Sequence, residues 1–136
     1  MSIRILVADD HPVVRGGLKS LLGAQPGWQV IGEAVDGLEA VDKSGRLSPD
    51  VVVLDLSMPR MGGLEACRLI RKSVPQSEVL IVTHHDSPQM MREVDAAGAR
   101  GCVVKSHLIR DLVRAVEATC EHRPFGPHPA PRPRSA

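Results

Sequence analysis

Asp9 and Asp10 follow the apolar run 3–8, Asp55 follows 51–54, Thr83 follows 79–82 and Lys105 follows 101–104. Brought into one crevice, the three carboxylates would repel each other strongly. At about 5 Å and an effective dielectric near 20, each pair costs roughly 3 kcal/mol. The single ammonium group of Lys105 offsets only part of that, and a divalent cation is the natural complement. An all-oxygen donor set points to Mg²⁺, or Mn²⁺, rather than zinc. Mg²⁺ binds through one or two carboxylates, keeps several waters and takes phosphate oxygens as further ligands. A vacant coordination position is therefore expected beside Asp55, in a crevice that also holds the Thr83 hydroxyl and the Lys105 ammonium. Singly, each residue has a plainer explanation: acids at strand ends are often solvated loop residues, and a lone lysine is often a surface charge. Their common placement after successive apolar runs is what favours a shared site.

The elements that must position them follow from hydropathy. The runs 3–8, 51–54 and 79–82 are apolar on consecutive residues, as expected of strands buried on both faces of a parallel sheet. The runs 28–33 and 101–104 are weaker or shorter and read as edge strands. Helical stripes lie between them. Val14, Leu18, Leu21 and Leu22 form one, entered at Pro12 and left at Gly23. Asp36 and Glu39 make a capping-box pattern ahead of Leu38, Ala40 and Val41. Leu64, Cys67, Ile70 and Val74 follow the Gly62-Gly63 turn, Ser87-Pro88 opens the stripe Met90, Met91, Val94 and Ala97, and Leu108, Leu112, Val113 and Val116 form the last. Strict alternation of five strands with five helices gives an α/β, doubly wound, five-stranded parallel sheet. With strand order 2-1-3-4-5, the residues named above meet beyond the carboxyl ends of the strands, where such sheets bind ligands.

Composition narrows the function classes. The 136 residues suit one domain, and the net charge is +1. The charge is uneven: from His122 onward there is no acid and there are three arginines, so residues 1–121 carry two more acids than bases. That body offers no basic face for DNA or anionic lipid. Trp28 and Phe125 are the only aromatic side chains, which excludes a stacking platform for single-stranded nucleic acid. No apolar run approaches a membrane span, and no membrane role is expected. The three cysteines, Cys67, Cys102 and Cys120, are scattered and fit a reducing cytoplasm. Residues 1–121 read as the folded domain and 122–136 as a mobile tail or linker stub, since five of the thirteen residues 124–136 are proline.

The segments Val7-Ala8-Asp9-Asp10-His11-Pro12, Val53 to Gly63 (VLDLSMPRMGG), Val82-Thr83 and Gly98 to Lys105 (GARGCVVK) together resemble a response-regulator receiver domain of the CheY-like, flavodoxin-like fold. Within that family the chain is most similar to receivers of LuxR/NarL-type transcription regulators, over residues 3 to about 121. The resemblance implies that Asp55 accepts a phosphoryl group from a phosphohistidine of a sensor histidine kinase. It further implies Mg²⁺ held by Asp10, by Asp9 largely through water, by Asp55 and by the backbone carbonyl of Ser57. Lys105 and Thr83 would contact the phosphoryl oxygens. The domain would catalyse only its own phosphorylation and slow dephosphorylation, and the face 87–121 would then pair with a second copy or an output module. DNA would be reached only through an output domain that this chain does not contain.

Three positions depart from the pattern. Cys102 stands where the family's switch aromatic is expected, His84 and His85 follow Thr83 where a small residue is usual, and Ser106 follows Lys105 in place of proline. Other readings compete. A flavin carrier of the same sheet order needs a hydroxyl- and glycine-rich loop where Asp9-Asp10 stands, and an aspartate-nucleophile phosphatase needs a second Asp where Ser57 stands. A degenerate receiver acting as a phosphorylation-independent interaction module stays open on Cys102 and His84. Adjacent histidines at a strand end point in opposite directions, so His84 and His85 do not suit one metal ion.

Overall fold

The computed structural model describes residues 2–84 and 86–126. The chain runs β1 (Ile3–Ala8), α1 (Pro12–Gly23), β2 (Trp28–Ala34), α2 (Gly37–Leu47), β3 (Val51–Asp55), α3 (Gly63–Ser73), β4 (Glu78–Thr83), α4 (Pro88–Ala96), β5 (Gly101–Val104), a short 3₁₀ turn (Lys105–His107) and α5 (Leu108–Cys120). All strand pairs are parallel and the order is β2-β1-β3-β4-β5, as the alternation predicts. β3 and β4 are buried along their whole length, which explains their unbroken apolar runs.

Alternate side chains feed two cores. Ile3, Ile5, Val7, Val51, Val53, Leu80, Val82 and Val103 face Leu18 and Leu22 of α1 and Leu112, Ala115 and Val116 of α5. Leu6, Ala8, Val52, Leu54, Val79, Ile81 and Cys102 face Ala40 of α2, Ala66, Cys67 and Ile70 of α3, and Val94 of α4. With so few rings available, close packing of small and branched side chains carries the hydrophobic term.

Local signals behave largely as their chemistry demands. Ser87 caps α4 by accepting from Met90 N at 3.1 Å, with Pro88 at the first position. Asp36 caps α2 by accepting from Glu39 N at 2.8 Å, while Glu39 reaches one residue further back than a capping box, to Val35 N at 3.0 Å. Leu38 differs from expectation: it is 50% exposed, because the stripe α2 buries is the small set Gly37, Ala40 and Ser44.

Beyond α5 the first tail residues are docked. Arg123 N bonds to Ala118 O, Cys102 N donates to Phe125 O at 2.8 Å, and Phe125 forms an isolated bridge with Gly101 at the β5 edge. A Cβ at Gly101 would come within 2.7 Å of the Phe125 carbonyl oxygen, so glycine is needed there. Residues 127–136, the greater part of the expected tail, lie outside the described residues.

Candidate phosphoacceptor site

The parallel register sets the carboxyl ends of the inner strands side by side. Ala8 pairs with Leu54, Asp55 with Val82, and Thr83 with Val104. The next residues after β1 and β5 are thus Asp9 and Lys105, and β3 and β4 end in Asp55 and Thr83 themselves.

Asp9 is fully buried and oriented from three sides. Its N–H continues the sheet to Ala34 O at 3.0 Å, its Oδ1 accepts from His11 N at 2.8 Å, and its carbonyl accepts from Arg15 Nη1 at 2.8 Å. Lys105 leans in from the 3₁₀ turn with its ammonium 3.2 Å from Asp55 Oδ1 and 3.7 Å from Asp9 Oδ2. Its side chain is 10% exposed, against 3% for Asp55 and none for Asp9, so little water screens the pairs. Thr83 is buried at the end of β4. Asp10 lies at the rim with its side chain 30% exposed.

One ammonium does not neutralise this group. Burial and the Asp9 charge raise the Asp55 carboxyl above its ordinary range, and Lys105 and a hydrogen bond from the Ser57 backbone only partly offset them. Oδ2 of Asp9, Oδ1 of Asp10 and Oδ2 of Asp55 are buried without a hydrogen-bond partner. Buried oxygens of this kind are ordinarily satisfied, and three at one notch are the donor set a hard divalent cation needs.

His11 belongs to the same notch, and sequence reasoning passed over it. Ligand atoms of Asp9, Asp10, His11 and Asp55 all lie within 4.8 Å of one another. The His11 ring is 3.1 Å from Asp10 Oδ1 and 63% exposed. Its position directly after two candidate ligands was the available signal.

The loop from β3 to α3 was also missed as a built feature. Gly63 N closes it on Leu56 O at 2.9 Å, and a Cβ at Gly63 would press to 2.8 Å from Leu56 Cα and collide with the Asp55 carbonyl oxygen. Arg60, at φ +65°, bonds to Asp36 at the start of α2. Ser57 is exposed two residues past Asp55. Cys102 is buried within β5, opposite Ile81, with its thiol pushed up to about 12 by burial. His84 is exposed, and His85 lies outside the described residues.

A doubly wound sheet of this order, with an acid just after β1, another at the end of β3 and a lysine after β5, defines the CheY-like receiver class. The chain belongs to the response regulator receiver domain family, which it matches over residues 5–117. It is 41% identical over 115 residues to the DNA-binding transcriptional activator DevR/DosR of Mycobacterium tuberculosis, covering 85% of this chain and 53% of that protein. It is 40% identical over 114 residues to response regulator GacA of Pseudomonas viridiflava, covering 84% of this chain and 53% of that protein. A LuxR-family two-component response regulator from Aurantimonas sp. SI85-9A1 superposes with a TM-score of 0.88 at 39% identity, covering 92% of this chain and 89% of that one. The chain spans about half the length of the curated relatives it matches. It is accordingly a two-component signalling receiver, related to transcription regulators. No helix among the described residues is long and apolar enough to cross a membrane.

Proposed function

We propose that Asp55 accepts a phosphoryl group from the phosphohistidine of a sensor histidine kinase in a Mg²⁺-dependent reaction. An Asp55 oxygen forms the new P–O bond as the P–N bond to the donor imidazole breaks, and the released ring nitrogen takes a proton from solvent. Bound Mg²⁺ supplies charge neutralisation for the phosphoryl oxygens. Asp10, Asp55 and the backbone carbonyl of Ser57 would hold it, with Asp9 contributing largely through water. Lys105 stays beside Asp55 and neutralises the charge that arrives, and Thr83 donates its hydroxyl to a phosphoryl oxygen.

The observation that carries this reading is the Lys105–Asp55 contact of 3.2 Å beside three carboxylate oxygens with no hydrogen-bond partner. Phosphorylation replaces the single carboxylate charge of Asp55 with close to two negative charges on the acyl phosphate beside a buried lysine, which draws the Thr83 hydroxyl inward and the loop after β4 with it. The face 87–121 then changes and pairs with a second copy or an output module, in the service of transcription control. Cys102 is too small to act as a rotating ring, so the signal passes through Thr83 and that loop.

Incubation with Mg²⁺ and acetyl phosphate tests the proposal. Intact mass should show one added phosphoryl group on the wild type and none on Asp55→Asn. An unmodified wild type would favour a phosphorylation-independent interaction module instead.

A further inference from the structure

We propose that Asp36 and Arg60 form a positioning pair for the phosphoacceptor site, clamping the β3–α3 loop against α2 so that the notch binds its cation tightly and Asp55 reacts quickly. The inference rests on the phosphoacceptor reading and assigns to that site two residues outside the notch.

Arg60 occupies a backbone conformation an arginine does not choose. Its φ is +65°, and Met61 N bonds back to Pro59 O at 2.7 Å, two residues earlier. A bond of that span around a positive-φ residue is the strained form of the γ-turn. Glycine adopts it without a Cβ penalty and arginine does not. What holds Arg60 there is Asp36. Arg60 Nε donates to Asp36 Oδ2 at 2.8 Å and Nη2 bonds to the same oxygen. The guanidinium is 64% exposed while the carboxylate is 3% exposed, so the pair joins a surface loop to a buried anchor.

The two oxygens of Asp36 divide the work. Oδ1 caps α2 through Glu39 N, a task that Asn, Ser or Thr performs as well. Oδ2 meets the guanidinium, and only that contact calls for a charged carboxylate. Hydrogen bonds from the Glu39 backbone and from Arg60 hold the Asp36 carboxyl below its usual range. A backbone contact reinforces the clamp: Gly37 N donates to Met61 O at 3.0 Å, and a Cβ at Gly37 would collide with that carbonyl.

The clamped loop reaches the reacting group at both ends. The Ser57 backbone hydrogen-bonds the Asp55 carboxylate, and Gly63 closes on Leu56 against the Asp55 carbonyl. Displacing the loop therefore disturbs Asp55 and the Ser57 carbonyl together, while leaving the sheet intact.

Three variants of the full chain, Asp36→Asn, Arg60→Ala and Arg60→Gly, and the double variant D36N/R60G separate positioning from mere support. Each is measured for Mg²⁺ affinity by calorimetry, for phosphorylation rate with acetyl phosphate, and for thermal melting. Asp36→Asn keeps the cap, and both it and Arg60→Ala should weaken Mg²⁺ binding about tenfold, the lower end of what outer-shell partners of a metal site cost. Arg60→Gly relieves the strained turn and should retain affinity within about threefold of wild type, since glycine needs no clamp at that φ. Adding Asp36→Asn to Arg60→Gly should then cost nothing further. Equal losses in the alanine and glycine variants, or an Asp36→Asn loss of the same size with and without Arg60, would overturn the proposal. So would folded Asp36→Asn protein with wild-type affinity and rate. A wild type that binds no Mg²⁺ overturns the phosphoacceptor reading first, and the pair's role with it.

Discussion

Lys105 and Asp55 stand 50 residues apart in the chain, at the ends of strands separated by β4, and their charged atoms are 3.2 Å apart. The lysine is shared, since Asp9 Oδ2 is 3.7 Å from the same ammonium. A buried cation facing two buried anions, with a third acid at the rim, is an unbalanced arrangement that folding alone does not favour. Its consequences are measurable.

Asp55 should cost the apo protein stability near neutral pH. Its carboxyl is raised above its ordinary value of 3.8 by burial and by Asp9, so the folded state binds the proton more tightly than the unfolded chain does. The cost is absent below that value and grows as pH climbs through the folded pKa. Asp55→Asn is expected to raise the apo melting temperature at pH 7 and to have little effect near pH 3. Added Mg²⁺ should narrow the difference, stabilising the wild type by about 2.7 kcal/mol at a hundredfold excess over its Kd. Scanning calorimetry with and without the metal checks both statements.

Removing the lysine should do the opposite. Lys105→Met leaves Asp9 and Asp55 without their buried cation, and loss of one partner from such a pair typically costs about 3–5 kcal/mol. Part of that loss should return when Mg²⁺ is added. Urea unfolding of the variant in the presence and absence of Mg²⁺ reads the two effects separately.

Gly63 should tolerate no side chain. A Cβ there collides with the Asp55 carbonyl oxygen and comes within 2.8 Å of Leu56 Cα, both backbone atoms that cannot swing aside. Gly63→Ala is expected to lose about 1–3 kcal/mol, as overpacking does, and to slow phosphorylation along with it. Gly45→Ala, which meets nothing within 4 Å, is the control that should hold or gain stability.

At the other end of the sheet, Glu78 should make the fold acid-sensitive. Burial alone would raise its carboxyl, but His122, Arg100 and Arg71 outweigh that and bring it below 4.5. A depressed carboxylate contributes stability above its unfolded pKa and loses it as pH falls through the folded one. Glu78→Gln should therefore destabilise at pH 7 and flatten the fall in stability below pH 4.5, which urea titrations across that range would show.

Much of this architecture is visible in the sequence because few signals compete there. Short, β-branched unbroken runs such as Val51–Leu54 favour strands buried on both faces, and strand alternation with helices then points to the class of sheet. Asp9, Asp10, Asp55, Thr83 and Lys105 are visible because they stand where apolar runs end, whereas His11, one position further on, carries no such mark. Arg60 and Asp36 were not, since nothing about an arginine between Pro59 and Met61 reveals a positive φ or a partner 24 positions away. Leu38 was misplaced because periodicity favours large apolar residues, whereas α2 buries Gly37, Ala40 and Ser44. Phe125 lay in a proline-rich stretch whose composition describes chain statistics, and its bridge to Gly101 depends on one strand edge being free to accept it.

The identity of the phosphorylated residue is the most direct test. After treatment with Mg²⁺ and acetyl phosphate, borohydride reduction converts an aspartyl phosphate to homoserine, and peptide mapping locates it. The account predicts homoserine at position 55 and nowhere else. Modification at position 9 or 10, on a histidine, or at no residue in folded protein would contradict it.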